Sequence, residues 1–168
     1  KSHNFLYDGE GPDLRIVVTD LGSAKVSTAT MATSSTQNFS CSTLFWCAPE
    51  VVRNPRIPVT LARDVYAFGV VMWEIATSRA PFDGMSLEEF YATIMPFACA
   101  CDATHPLLED ETIFSQVPVG YVEVMASCLS ADPDSRPSMA EVVERLGRVY
   151  EDLSELGPAC PSKSVESQ

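Results

Sequence analysis

Two side chains near the start of the chain carry oxygens of the kind that hold hard cations, the carboxamide of Asn4 and the carboxylate of Asp20. The residues between them set their separation. Phe5–Tyr7 and Leu14–Thr19 read as short strands around DGEGPD, whose glycines and proline make a turn. A hairpin of that kind brings Asn4, at its entrance, and Asp20, at its exit, to the same end. The plainer alternative is a capping Asn and a turn Asp. In the second strand Leu14, Ile16 and Val18 face one way and Arg15, Val17 and Thr19 the other, and Val17 implies partial cover on both faces.

Other groups offer less chemistry. Six cysteines are scattered without CxxC pairs, and only His3 and His105 could join them, which argues against a zinc site and for reduced thiols in a cytoplasmic setting. Neither histidine has a base's partners in sequence, and nothing near Cys47 argues for a depressed thiol pKa, so covalent catalysis is not expected. Acidic residues outnumber basic ones 23 to 11 for a formal charge of −12, a field that repels phosphate backbones and disfavours nucleic acid as a partner. No stretch reaches the length of a membrane span.

The elements that must position these groups are mostly helical. The 168 residues, 46% hydrophobic, are enough for one domain or a large piece of one. APEVVR reads as a short helical turn. DVYAFGVVMWEIAT, Asp64 to Thr77, is apolar almost all round, which makes it the central helix, buried on every side; Glu74 and the short run exclude a membrane span. Ser-Leu-Glu-Glu at Ser86 is a capping box opening a helix to Met95. Val119–Ser130 reads as a further helix. A second box, Ser138 to Glu141, opens a long amphipathic helix with Met139, Val142, Val143, Leu146, Val149, Tyr150, Leu153 and Leu156 on one packed stripe. Ser23–Ser42 is hydroxyl-rich and loop-like, and 157–168 reads as a disordered tail.

Several segments, in order, resemble the second half of a eukaryotic protein kinase domain. KSHN resembles the end of the catalytic loop H-R-D-L-x-x-x-N, TDLG the D-F-G motif and CAPE the A-P-E motif. DVYAFGVVMWEIATSRAPF is similar to the family's central helix and its exit, and DPDSRP to its arginine-containing segment before the last helix. The resemblance covers about Lys1 to Leu156. It implies a mainly α fold with one β-hairpin, the C-terminal (large) lobe of a protein-kinase-like domain over 1–156, with H-R-D-L, its catalytic aspartate and the nucleotide-binding N-lobe lying ahead of Lys1.

The same resemblance implies roles. Asp20 would bind magnesium bridging the outer phosphates of ATP, Asn4 a second ion, and Lys1 would stabilise the γ-phosphate as a point charge. Leu21 stands where the family has Phe and would pack beneath the nucleotide, and Gly22 suits a pivoting backbone. The segment from Asp20 to Glu50 would be the activation segment, with Ser34, Ser35, Thr36 and Ser40 as candidate phosphorylation sites for an upstream activating kinase. Thr43 and Lys1 fit the serine/threonine type, and Trp46 resembles the tyrosine-kinase-like group, while Ser42 departs from the usual glycine. Glu50 and Arg136 would form an ion pair locking that segment to the core, and Asp64 would be a buried acceptor for catalytic-loop backbone.

The expected function is therefore a protein serine/threonine kinase acting on a protein substrate with ATP and magnesium, these 168 residues alone being inactive. Two rivals predict different observations. A pseudokinase scaffold would have a neutral residue in place of the aspartate in H-R-D. An unrelated helical interaction domain would point Asn4 and Asp20 apart.

Overall fold

A computed structural model describes residues 1–21, 41–100 and 103–155. Strands β1, Phe5–Asp8, and β2, Arg15–Val18, pair antiparallel with Phe5 opposite Val18 and Asp8 opposite Arg15. Their connection turns at Gly9, φ 93°, where a Cβ would sit 2.6 Å from the Asp13 carbonyl oxygen, so only glycine closes this hairpin.

The expectation of partial cover on both hairpin faces does not hold among the described residues. Only Phe5 and Thr19 are partly buried, while Leu6, Ile16, Val17 and Val18 are exposed and Tyr7 is 79% exposed. Alternating apolar residues report that a strand has a surface to bury. They do not report where the covering layer comes from.

Among the described residues five helices carry the core: α1, Pro49–Arg53; α2, Leu61–Thr77; α3, Leu87–Cys99; α4, Val119–Cys128; and α5, Met139–Glu155. Helix α2 is central, with Val65, Tyr66 and Gly69 through Trp73 buried. It is not enclosed at its ends, where Leu61 and Ile75 face solvent, so the all-round burial read from its composition applies to its middle turns only. Gly69 lets α4 approach closely, since a Cβ there would lie 2.8 Å from the Cys128 Cβ. Gly120 does the same for α5, against Val149.

Both capping boxes form. Ser86 accepts from the Glu89 amide at 3.2 Å while Glu89 accepts from the Ser86 amide at 2.7 Å. Ser138 and Glu141 repeat the exchange at 3.3 and 2.7 Å. Helix α3 runs past Met95 through Pro96 to Cys99. The stripe expected on α5 packs only in part: Val142 is buried, Leu146 and Val149 half-buried, but Val143, Tyr150 and Leu153 are exposed. Helix α5 meets α4 along one narrow edge, and that edge needs fewer residues than the apolar pattern supplies.

Beneath α3 the rings of Phe45, Phe82 and Phe90 stack edge to face and tilted, with centroids 5.0 to 5.9 Å apart. No helix among the described residues is long and apolar enough to cross a membrane. Gly22, Ser34, Ser35, Thr36, Ser40 and the tail 157–168 lie outside the described residues.

Candidate active site

The chain enters β1 through a single 3₁₀ turn, Ser2–Asn4, closed by the Asn4 amide donating to the Lys1 carbonyl at 2.9 Å. Asn4 is then tied to the other strand. Its carbonyl accepts from the Thr19 amide at 2.8 Å and from the Thr19 hydroxyl at 3.2 Å. The ladder therefore extends one pair beyond Phe5–Val18 and leaves Asp20 as the next residue out. Asn4 is half-buried and Asp20 exposed, and both stand at one end of the hairpin.

Asp20 adopts φ 62°, the left-handed region, without being glycine. Such backbone costs about 1–3 kcal/mol and collects where function holds it in place. Leu21 is 67% exposed, so the packing expected beneath a nucleotide is not made among the described residues. Lys1 is half-buried at the head of the turn and His3 is exposed.

The loop of residues 1–4 is anchored by a residue that sequence reasoning passed over. Glu74, near the end of α2, accepts from the Ser2 hydroxyl at 2.8 Å on Oε1, and on Oε2 from the Ser2 amide at 3.3 Å and the Trp46 indole N–H at 2.7 Å. Its one signal in the sequence was a lone carboxylate inside an apolar helix, and such a group is retained in a core only with donors to satisfy it.

Trp46 ends the 3₁₀ segment Cys41–Trp46 that carries Thr43. Thr43 is half-buried, and its carbonyl accepts from the Cys47 thiol at 3.5 Å. Burial pushes that thiol up to about 12, which suits a packed cysteine and not a nucleophile.

Three residues after Cys47, Glu50 meets Arg136 across the molecule. The guanidinium reaches both carboxylate oxygens, at 2.9 and 2.7 Å, and both side chains are buried. It also donates to the carbonyls of Ser130, Ala62 and Ala131, at 2.9, 3.0 and 3.3 Å, and lies 5.0 Å from the Tyr66 ring centroid. Every N–H of the fork is thereby used.

Asp64 stands at the start of α2, away from the residues that Glu74 holds. It is exposed on the first turn of α2 rather than entering the core, and no hydrogen bond from residues 1–4 reaches it among the described residues. Helix α2 starts at Leu61, which turns the fourth position outward, and the carboxylate that receives the loop's donors is Glu74, near the opposite end of the helix.

His105, in the connection after α3 and without a base's partners in its sequence neighbourhood, is given partners by the fold. It is buried, its Nδ1 accepts from the Leu107 amide at 3.1 Å, and its Nε2 lies 2.8 Å from the Tyr66 hydroxyl. An Nδ1 that accepts puts the proton on Nε2, so the ring is neutral. Burial, then the nearby Arg136 charge, lowers its pKa to about 3.

Known proteins resemble this chain in sequence. The family model described as protein tyrosine and serine/threonine kinase matches residues 2–146, which include Asn4, Asp20, Thr43, Glu50, Asp64, Glu74 and Arg136. A putative serine/threonine-protein kinase/receptor of Acanthamoeba polyphaga mimivirus, R831, is 26% identical over 99% of this chain and 10% of its own length. The probable serine/threonine-protein kinases drkA and drkC of Dictyostelium discoideum are 31% and 32% identical over 91% and 87% of this chain, and over 21% and 17% of their own lengths. The chain thus spans about a fifth or less of these curated relatives. A mainly helical chain with one hairpin, matched by the model over most of its length, belongs to the protein tyrosine and serine/threonine kinase family.

Proposed function

We propose that the protein carrying this chain is a serine/threonine kinase that transfers the γ-phosphoryl group of ATP to hydroxyls of a protein substrate, in a cytoplasmic setting. The observation that carries the reading is the pair of bonds from Thr19 to the Asn4 carbonyl, which keeps Asn4 beside the residue preceding Asp20 at the open end of the hairpin.

Magnesium fits this donor set. An amide oxygen and a carboxylate are hard ligands, and an ion that keeps several waters needs few protein groups. Asp20 and Asn4 would hold it, and when bound it neutralises charge on the triphosphate. Lys1 would place a cation against the γ-phosphate. Thr43 and Glu50 would position the substrate through the segment that Arg136 fixes to the core, and a phosphate added by an upstream kinase at Ser34, Ser35, Thr36 or Ser40 would order that segment. Residues 1–168 alone would not turn over, because the resemblance places the general base ahead of Lys1.

The test is incubation of the full-length protein with magnesium, terminally labelled ATP and a general protein acceptor. Label on serine and threonine is expected. Nucleotide or partner binding with no transfer would overturn the reading in favour of a scaffold.

A further inference from the structure

Glu74 joins two segments that are far apart in sequence and do different work. On one side it holds Ser2, between Lys1 and Asn4; on the other it holds Trp46, four residues before Glu50. We infer that Glu74 is a positioning residue through which the placement of Trp46 sets the placement of Lys1 and Asn4. The inference rests on the kinase reading for what those two residues do, but the link itself is a matter of hydrogen bonds.

Three features make the link stiff. The Glu74 backbone is held at the end of α2, where its carbonyl accepts from the Ser78 amide at 2.8 Å. Its neighbour Trp73 is buried and donates its indole N–H to the Leu107 carbonyl at 2.8 Å. The carboxylate is half-buried, and Oε2 serves both Trp46 and the Ser2 amide, so moving one donor re-aims the acceptor for the other. From Ser2 the turn leads to Asn4 within two residues, and Asn4 is bonded to Thr19 beside Asp20. Loss of the Trp46 bond therefore loosens the turn that carries both the lysine and the amide.

The chemistry of the contacts separates this role from simple packing. In Glu74→Gln the amide nitrogen can take the place of Oε1, because a hydroxyl accepts as readily as it donates, and the remaining oxygen still receives Trp46 and the Ser2 amide. Glu74→Ala leaves all three donors without their acceptor.

The experiment uses the full-length protein with variants E74Q, E74A, W46F and S2A. Activity is measured per folded molecule, together with the magnesium-ATP concentration giving half-maximal rate. E74A is expected to lower kcat by about 10- to 100-fold, the scale of a small misplacement of catalytic groups, and to raise the half-saturating concentration. E74Q is expected to stay close to the unmodified protein. In the E74A background, W46F and S2A should have no further effect. Hydrogen exchange at the Ser2 and Asn4 amides supplies a readout independent of turnover, and W46F should speed it while E74Q does not.

Unchanged exchange in W46F overturns the link whatever the activity. An active protein whose E74A variant keeps its kcat and half-saturation also overturns it. A protein that transfers no phosphate in any form overturns the kinase reading instead, and the exchange measurement still decides the link.

Discussion

Arg136 approaches Glu50 end-on, one terminal nitrogen to each carboxylate oxygen at 2.9 and 2.7 Å, with both side chains buried. Because the fork's other N–H groups reach three carbonyls, the pair is a knot joining α1, the start of α2 and the approach to α5. Removing one partner strands a buried charge.

E50A and R136A are each expected to destabilise by about 3–5 kcal/mol, read as a lowered denaturant midpoint. The double variant should cost far less than the sum of the two. R136K should not rescue, since an ammonium cannot span both oxygens and the carbonyls around them. Additive single effects would mean that the two residues act separately.

How much of this was legible beforehand depends on whether the cause is local. The two capping boxes are local, since Ser86–Glu89 and Ser138–Glu141 bond within one turn, and S-x-x-E announces them. Glu50 and Arg136 were matched only through a family pattern, because nothing in either neighbourhood points to a partner 86 positions away. The donors that meet Glu74 and the groups that meet His105 are hidden from their own sequence neighbourhoods for the same reason. Whether a polar side chain in or near an apolar run turns outward or finds donors is decided by elements distant in sequence. The exposed hairpin shows the same limit for apolar residues.

His105 makes acid stability predictable in sign. Its folded pKa, about 3, lies below the ordinary 6.5, so between those values the unfolded chain binds a proton that the folded chain does not. Stability must then rise with pH across this window and fall on acidification, by about 1.4 kcal/mol per pH unit once the unfolded imidazole is mostly protonated. Unfolding midpoints from pH 6.5 to pH 5, above the range of most carboxylates, should show that slope in the native sequence. They should show a slope smaller by one proton in His105→Gln. Equal slopes would mean that the ring charges in the folded state.

Two glycines inside helices should respond oppositely to alanine. At Gly69 the new Cβ meets the Cys128 Cβ at 2.8 Å, an atom fixed to the α4 backbone, so α2 and α4 must part. The strain exceeds the gain in helix propensity, for a net loss of about 1–2 kcal/mol. At Gly147 on α5 nothing lies within 4 Å, so alanine should stabilise by about 0.5–1 kcal/mol. Thermal unfolding of the two variants side by side checks both signs at once.

Asp20 offers the sharpest separation of activity from stability. Its side chain is exposed and its φ of 62° is a conformation that glycine adopts without strain. In Asp20→Gly the relief of that strain offsets the extra freedom of the unfolded chain, so the unfolding midpoint should stay put or rise slightly. If Asp20 holds magnesium, the same variant should lose phosphoryl transfer almost completely, and Asp20→Asn, which keeps shape but not charge, should lose most of it. A hairpin aspartate with no role predicts the reverse, with activity unchanged in both. Measuring midpoint and turnover on the same full-length preparations decides between them, because a fall in activity at constant stability cannot come from unfolding.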